Sequence, residues 1–220
     1  RSGRCPPRSK QRWGVTSVVS TPTGGLISGT SAWFDLAGLT LDQVLVEPST
    51  ALHASVGDGA IEASGGARAT AFGALREAFD DARLYRQRRT AFDRRQVREL
   101  AVSRLDLERL AETLGGDRPL VLEAVRSSDI LRAIALAREF GLRLVIAGGQ
   151  EAWMVASQLA AADVPVILQP MTNLPSTFSQ IHARYDNAAI LHRAGVRLII
   201  TTESAHGQRN LRQEAGNAIA

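Results

Sequence analysis

The stretch Gly195-Val-Arg-Leu-Ile-Ile-Thr-Thr-Glu-Ser-Ala-His206 decides the fold. Its apolar residues between Val196 and Ile200 are mostly β-branched and nearly continuous, which is typical of a parallel strand covered on both faces. The run then ends in two threonines, a glutamate and a histidine. Because functional sites on parallel sheets collect where the strands end, this pattern predicts that Glu203 and His206 lie in a site.

Similar strands recur upstream, and each is followed by a helical pattern. We predict strands over residues 120–125, 142–147, 164–168 and 197–202, and helices over residues 129–140, 151–162 and 185–194. Ser127 or Ser128 is expected to cap the first of these helices, and Gly141 to end it. Strands and helices that alternate in this way predict successive βα units in a parallel sheet.

Periodicity alone does not separate a closed barrel from an open doubly wound sheet, since both use parallel strands joined by crossover helices. No Gly-x-Gly-x-x-Gly motif follows the first strand, and polar residues end several different strands. Both observations favour the barrel. We therefore predict an α/β fold, a partial TIM-type (β/α)8 barrel.

The first half of the chain gives a less regular pattern. Residues 1–12 (RSGRCPPRSKQR) have no apolar periodicity and are predicted to be a disordered leader before one domain over residues 13–220. The pattern after the leader predicts a strand over residues 13–20, a hairpin or pocket-covering loop around Trp33 and Phe34, and a short strand over residues 44–46. Residues 70–114 contain no proline and predict one long helix or two shorter ones.

Composition argues against two classes of partner. The formal charge is +4 among 220 residues, but acidic residues are interleaved with the arginines of residues 76–99, as on a solvated helical face. No apolar run approaches the length of about 18 residues that spans a bilayer. We therefore predict neither nucleic acid nor membrane as a partner. The single cysteine, Cys5, provides neither a disulfide framework nor a thiolate metal cage.

Four ordered motifs resemble the amidohydrolase superfamily in its imidazolonepropionase-related branch. They are residues 119–130 (PLVLEAVRSSDI), 148–153 (GGQEAW), 173–176 (NLPS) and 210–217 (NLRQEAGN). The resemblance covers about residues 13–220 and is densest after Pro119. It implies a metal-dependent (β/α)8 hydrolase, in which a metal-activated water attacks the carbonyl carbon of an amide-like C–N bond.

The ligand pattern of that family is altered in this chain. The resemblance implies a His-x-His pair after a first strand, histidines after the fifth and sixth strands, and an aspartate after the eighth. The sequence contains no His-x-His, and it begins at what resembles the second strand. The expected histidines correspond to Val125 and to Gly148 or Gln150, and the aspartate corresponds to Glu203. Zn²⁺ is the metal that the resemblance implies.

Five residues are the candidates for the site. Glu203 is predicted to be the catalytic residue and a metal ligand, and Glu123 a second ligand. The residues predicted to contact substrate are Arg126, Gln150 and His206. Arg126 follows a strand end, where its guanidinium group suits an anionic ligand. We interpret the remaining histidines, His53, His182 and His192, as ordinary surface or core residues.

Two functional hypotheses follow and stay open at this point. The first is a metal-dependent hydrolase of amide or cyclic amide C–N bonds, which acts on a small amide or peptide-like substrate. The second is a catalytically inactive or truncated relative that serves as a binding or assembly subunit. A homo-oligomer or a partner chain is expected in either case, because a missing strand would expose a sheet edge.

Overall fold

The computed structural model describes residues 14–202 and 207–218. The strands among these residues are β1 (Ser17–Ser20), β2 (Ile27–Thr30), β3 (Ala32–Asp35), β4 (Leu45–Glu47), β5 (Leu52–Ser55), β6 (Leu120–Ala124), β7 (Leu144–Gly148), β8 (Val166–Leu168) and β9 (Leu198–Ile200). The α-helices are α1 (Leu41–Val44), α2 (Asp58–Ala63), α3 (Arg68–Gln87), α4 (Arg89–Asp93), α5 (Arg104–Thr113), α6 (Ser127–Phe140), α7 (Ala156–Ala161), α8 (Asn187–Arg193) and α9 (Leu211–Asn217).

The main sheet has six strands in the order β2-β5-β6-β7-β8-β9. Strands β5 to β9 are parallel, and β2 joins the edge of β5 in the antiparallel direction. Strands β1, β3 and β4 form a separate antiparallel sheet. The predicted mixed α/β fold with a parallel sheet is therefore confirmed.

The sheet is not seen to close into a barrel. Strands β2 and β9 occupy its two edges, and the described residues contain no pairing between them. What the structure describes is thus a six-stranded sheet with helices.

One face of the sheet forms the core because helices cover it. Leu122 and Ile146 are fully buried on this face, and Phe79 of α3 lies beneath them in the same apolar cluster. The rings of Phe79 and Phe140 lie 5.4 Å apart, so they join α3 to the end of α6. This helix-covered layer explains why the strands contain nearly continuous apolar runs.

The opposite face is more open and carries the polar side chains. Neighbours in a parallel ladder point to the same side, and the register aligns Ser55 with Glu123, Glu123 with Ala147, and Ala147 with Ile167. This row runs across β5, β6, β7 and β8 and ends on β9 at Ile199, which is 48% exposed. The row places Glu123 on the face away from the helices.

Several local predictions differ from the structure in detail. The region predicted as one or two helices contains three, α3, α4 and α5. Helix α6 begins at Ser127, and Arg126 rather than a serine is its N-terminal capping residue. The Ser127 N–H instead donates to the carboxylate of Glu151 at 3.1 Å, so a distant side chain satisfies this helix end. Gly141 ends α6 in the left-handed conformation, as expected.

Strand β5 was not predicted, although it is central to the sheet. Its sequence pattern alternates Leu52, Ala54 and Val56, which are buried, with His53 and Ser55, which are partly exposed. The predicted leader, residues 1–12, lies outside the described residues. No helix in the described part of the chain is long and apolar enough to cross a membrane.

A matched pair of isoleucines tests the assignment of the two faces. Replacing the fully buried Ile146 with alanine should lower the free energy of unfolding by about 2–5 kcal/mol, because it leaves a cavity in the helix-covered layer. Replacing Ile199, on the open face, should cost less than about 1 kcal/mol. Urea unfolding of both variants measures the difference, and equal losses would contradict the assignment.

Candidate functional site

A cavity of about 410 Å³ lies on the open face, where the parallel strands end. The loop after β1 and strand β2 form one wall, and residues from β5 to just after β9 form the rest. Its polar lining residues are Thr21, Thr23, Ser28, His53, Ser55, Glu123, Gln150, Gln169, Thr172, Thr201 and Thr202. Its position at the carboxyl ends of several strands is where ligand sites form on parallel sheets.

Four consecutive strands each bring one larger polar side chain to this cavity. His53 comes from β5 and Glu123 from β6, and Gln150 and Gln169 follow the ends of β7 and β8. Parallel strands share one direction, so side chains from their ends converge without any further folding of the loops. The sequence separation of these residues gives no hint of this convergence.

Glu123 is held by a neutral donor. The hydroxyl of Ser55 donates to Glu123 Oε2 at 2.8 Å, and the backbone N–H of Gly57 donates to Ser55 Oγ at 3.1 Å. The backbone after β5 therefore orients the Ser55 hydroxyl, and the hydroxyl in turn orients the Glu123 carboxylate. The other carboxylate oxygen, Oε1, accepts no hydrogen bond from the described residues.

Three polar atoms around the cavity are buried and have no hydrogen-bond partner among the described residues. They are His53 Nε2, Gln150 Oε1 and Gln169 Oε1. Burial lowers the pKa of His53 below its ordinary value of 6.5, so the imidazole is neutral at pH 7. Buried polar atoms in folded proteins normally have partners, and three unpaired atoms around one cavity indicate a place for a polar ligand or water.

The rim beside Gln150 is fixed by several contacts. Gly149 has a φ of +55°, and a Cβ atom there would lie 2.9 Å from a methyl group of Val166. Its carbonyl accepts a hydrogen bond at 2.9 Å from the buried side chain of Asn187. Only glycine adopts this positive φ and leaves room for the Val166 methyl group without strain. The backbone that presents Gln150 is thus held from two sides.

The neighbouring residue, Glu151, is buried and connects two further segments. One carboxylate oxygen accepts the Ser127 N–H described above, and the other lies 3.1 Å from Nδ1 of His182. His182, which we interpreted as an ordinary histidine, is more than half exposed and fastens the loop before α8 to this rim. Neither residue lines the cavity in the part of the chain that is described.

The candidates named from sequence occupy three kinds of position. Glu123 and Gln150 line the cavity. Arg126 precedes α6 and does not lie among the described lining residues. Glu203 and His206 lie outside the described residues, although Thr202, which directly precedes Glu203, does line the cavity. Trp33 and Phe34 lie on β3, and the loop over residues 21–24 lines the cavity instead.

Sequence reasoning missed His53, Ser55 and Gln169 as site residues. The first two lie on β5, whose alternation of apolar and polar residues was a usable signal. Gln169 follows an apolar strand directly, in the same relation as Thr201 to β9. A polar residue directly after an apolar strand was a signal for Gln169 too, but a glutamine before a proline is more typical of an ordinary turn.

The predicted zinc ligands can be followed only in part, because Glu123 lies among the described residues and Glu203 does not. No group of three or more histidine, cysteine, aspartate or glutamate side chains converges within residues 14–202 and 207–218. His53 pairs in register with Val121, one level below Glu123, and the remaining large polar groups are neutral carboxamides. Zinc sites in proteins use three or four nitrogen, sulfur or carboxylate ligands, and Val125 at an implied ligand position cannot serve as one.

Comparison with known proteins gives one structural finding. The chain is similar to the crystal structure of an amidohydrolase from Thermotoga maritima MSB8, with a TM-score of 0.84 and 22% sequence identity. The match covers 97% of this chain and 58% of that chain, so this chain spans little more than half the length of that protein. At this identity the similarity shows a shared fold. No protein-family model matches the sequence, and no curated protein matches it.

The lowered pKa of His53 predicts a pH dependence of stability. The unfolded chain takes up the histidine proton more readily than the folded chain, so stability should fall as the pH falls below about 6.5. Replacing His53 with glutamine should reduce the fall in melting temperature between pH 7.5 and pH 5.5. Replacing His192, an exposed histidine of α8, provides the control. An unchanged pH slope in the His53→Gln variant would contradict the prediction.

Proposed function

We propose that this chain is part of an amidohydrolase-like domain of the imidazolonepropionase-related branch, and that its parallel sheet belongs to a (β/α)8 barrel. The order of strands and helices and the four sequence motifs support this assignment, as does the fold shared with an amidohydrolase. The sheet edges at β2 and β9 are where further strands would join it.

We infer that the domain binds a small molecule with an amide or peptide-like group in the cavity. The observation that carries this inference is the convergence of His53, Glu123, Gln150 and Gln169 from four consecutive strands. Carboxamide side chains both donate and accept hydrogen bonds, so two of them suit the N–H and C=O groups of an amide. A volume of about 410 Å³ lies within the range of small-molecule sites.

Binding without turnover is the function that the described residues favour. Hydrolysis of an amide needs a strongly activated water in addition to the groups that hold the substrate. The same cavity, with a carboxylate and two carboxamides, is sufficient for recognition. On this proposal the domain is a binding or assembly subunit with the fold of a hydrolase.

Hydrolysis of a C–N bond is the second candidate, and the contact between Ser55 and Glu123 favours it. A carboxylate oriented by a hydroxyl can accept the proton of an attacking water, while Gln150 and Gln169 position the substrate carbonyl. In this candidate the C–N bond breaks, and the substrate is converted into a carboxylic acid and an amine.

Assembly is a further part of the proposal. The edges of β2 and β9, which pair with no further strand among the described residues, would be covered by further residues of a longer chain, by a second copy or by a partner chain. Light scattering coupled to size-exclusion chromatography measures whether this chain is a homo-oligomer.

A binding and turnover experiment separates the two candidates. N-acetylated amino acid amides and dipeptides are titrated into the purified protein by NMR, turnover is followed by amine release, and zinc is measured by mass spectrometry. We expect saturable binding, no amine release and far less than one zinc per chain. Near-stoichiometric zinc together with turnover that a chelator abolishes would establish the hydrolase instead.

Single substitutions locate the binding site in this experiment. Gln150→Ala and Gln169→Ala should each weaken binding about 3–10-fold, because each removes one or two hydrogen bonds to the ligand. Gln158→Ala, which changes an exposed glutamine of α7, should leave the dissociation constant unchanged. Binding that is insensitive to both cavity substitutions would place the ligand elsewhere.

A further inference from the structure

The cavity has an unusual charge for this chain. The chain contains 26 lysine and arginine residues against 22 aspartate and glutamate residues, yet no lysine or arginine is among the described lining residues. Glu123 is the single charged side chain of that lining. A basic protein thus carries a cavity whose described lining bears a negative charge.

Glu123 also differs in its partner from about half of the described acidic groups. Many of the others contact arginine: Asp58 and Asp129 contact Arg68, Glu139 contacts Arg76, and Asp163 contacts Arg197. Glu123 accepts only the neutral hydroxyl of Ser55 and forms no ion pair within the described part of the chain. Glu123 is exposed to the cavity, so its carboxylate is accessible to a cation that enters.

The two carboxamides beside Glu123 add acceptors. Gln150 Oε1 and Gln169 Oε1 are buried and have no partner among the described residues. Together with the carboxylate they suit a group that only donates hydrogen bonds. An ammonium group has three N–H donors and a guanidinium group has five, and neither has an acceptor. A ligand carboxylate would instead meet Glu123 with a like charge.

The remaining wall suits an aliphatic stem. Val121, Ala147 and Ile167 line the same cavity from β6, β7 and β8. Amine-bearing molecules commonly lay methylene groups along apolar surface while the charged end reaches a polar partner. The apolar row and the carboxylate therefore fit the two ends of one small molecule.

We propose that the cavity recognises a small organic cation, a primary ammonium or guanidinium group on an aliphatic stem, with Glu123 as its counter-ion. This proposal rests on the proposed function, since it names the class of ligand for the same cavity. On this proposal, the cavity selects its ligand by a protonated amine and not by an amide group alone.

A series of small probes tests the proposal on the unmodified chain. n-Butylammonium, butyramide and butyrate differ mainly in the charge of one end group, and agmatine presents a guanidinium group. Protein-observed NMR titration at pH 7.5 should show n-butylammonium and agmatine binding at least about 10-fold more tightly than butyramide, with no measurable binding of butyrate. Raising the salt concentration should weaken binding of the cations more than binding of the amide.

Two isosteric variants assign the preference to one carboxylate. Glu123→Gln should remove the preference for n-butylammonium over butyramide, whereas Glu62→Gln, at an exposed position of α2, should keep it. The probe series on the unmodified chain decides the question even if Glu123→Gln does not fold.

Four results would overturn the proposal. Equal affinity for n-butylammonium and butyramide would refute the cation preference and leave the proposed amide-binding function standing. Tighter binding of butyrate, or no binding of any probe, would refute it too, and the dipeptide titration then judges the proposed function separately. Stoichiometric Zn²⁺ binding that Glu123→Gln abolishes, without amine binding, would make the carboxylate a metal ligand.

Discussion

The register of the parallel strands is the constraint on which the rest of the structure depends. Leu122 and Ile146 must face the helices because they are apolar and fully buried there, and side chains alternate strictly along a strand. A slip of one residue would turn Leu122 to the open face and place Glu123 among α3 and α6, where an unpaired carboxylate is very costly. The burial of one face thus fixes the chemistry of the other.

Polar contacts hold the surrounding helices and loops in place around this sheet. Arg68 of α3 contacts the buried carboxylate of Asp129 in α6 at 2.9 Å and also reaches Asp58 and Ser179. This group connects α2, α3, α6 and the loop after β8. A buried carboxylate with an arginine partner stabilises the arrangement chiefly because the loss of the arginine would leave an uncompensated charge.

Much of the fold could be predicted from sequence because the second half of the chain is locally regular. Strands β6 to β9 and helix α6 combine long apolar runs with glycine endings, so local pattern and tertiary structure agree there. Strand β5 was missed because its polar His53 and Ser55 interrupt a short segment close to Pro48. Those same two polar residues line the cavity.

The candidate site was predictable only in part, for a physical reason. Gln150 was named from the resemblance and Glu123 from its place two residues before Val125 on a strand, and both line the cavity. The partnership of Ser55 with Glu123 joins residues 68 positions apart and depends on the register of β5 with β6. No local pattern encodes such a register. The orientation of Glu123, away from the helices, likewise required the sheet itself.

The turn at Gly149 has a consequence for how the site can change. Its backbone is ordered when the chain folds, by Val166 on one side and Asn187 on the other, so ligand binding does not have to order this turn and loses little conformational entropy there. Gln150 then projects from a fixed support whose shape does not depend on its own side chain. Evolution can therefore exchange the residue at this position, and with it the ligand, while the scaffold stays as it is.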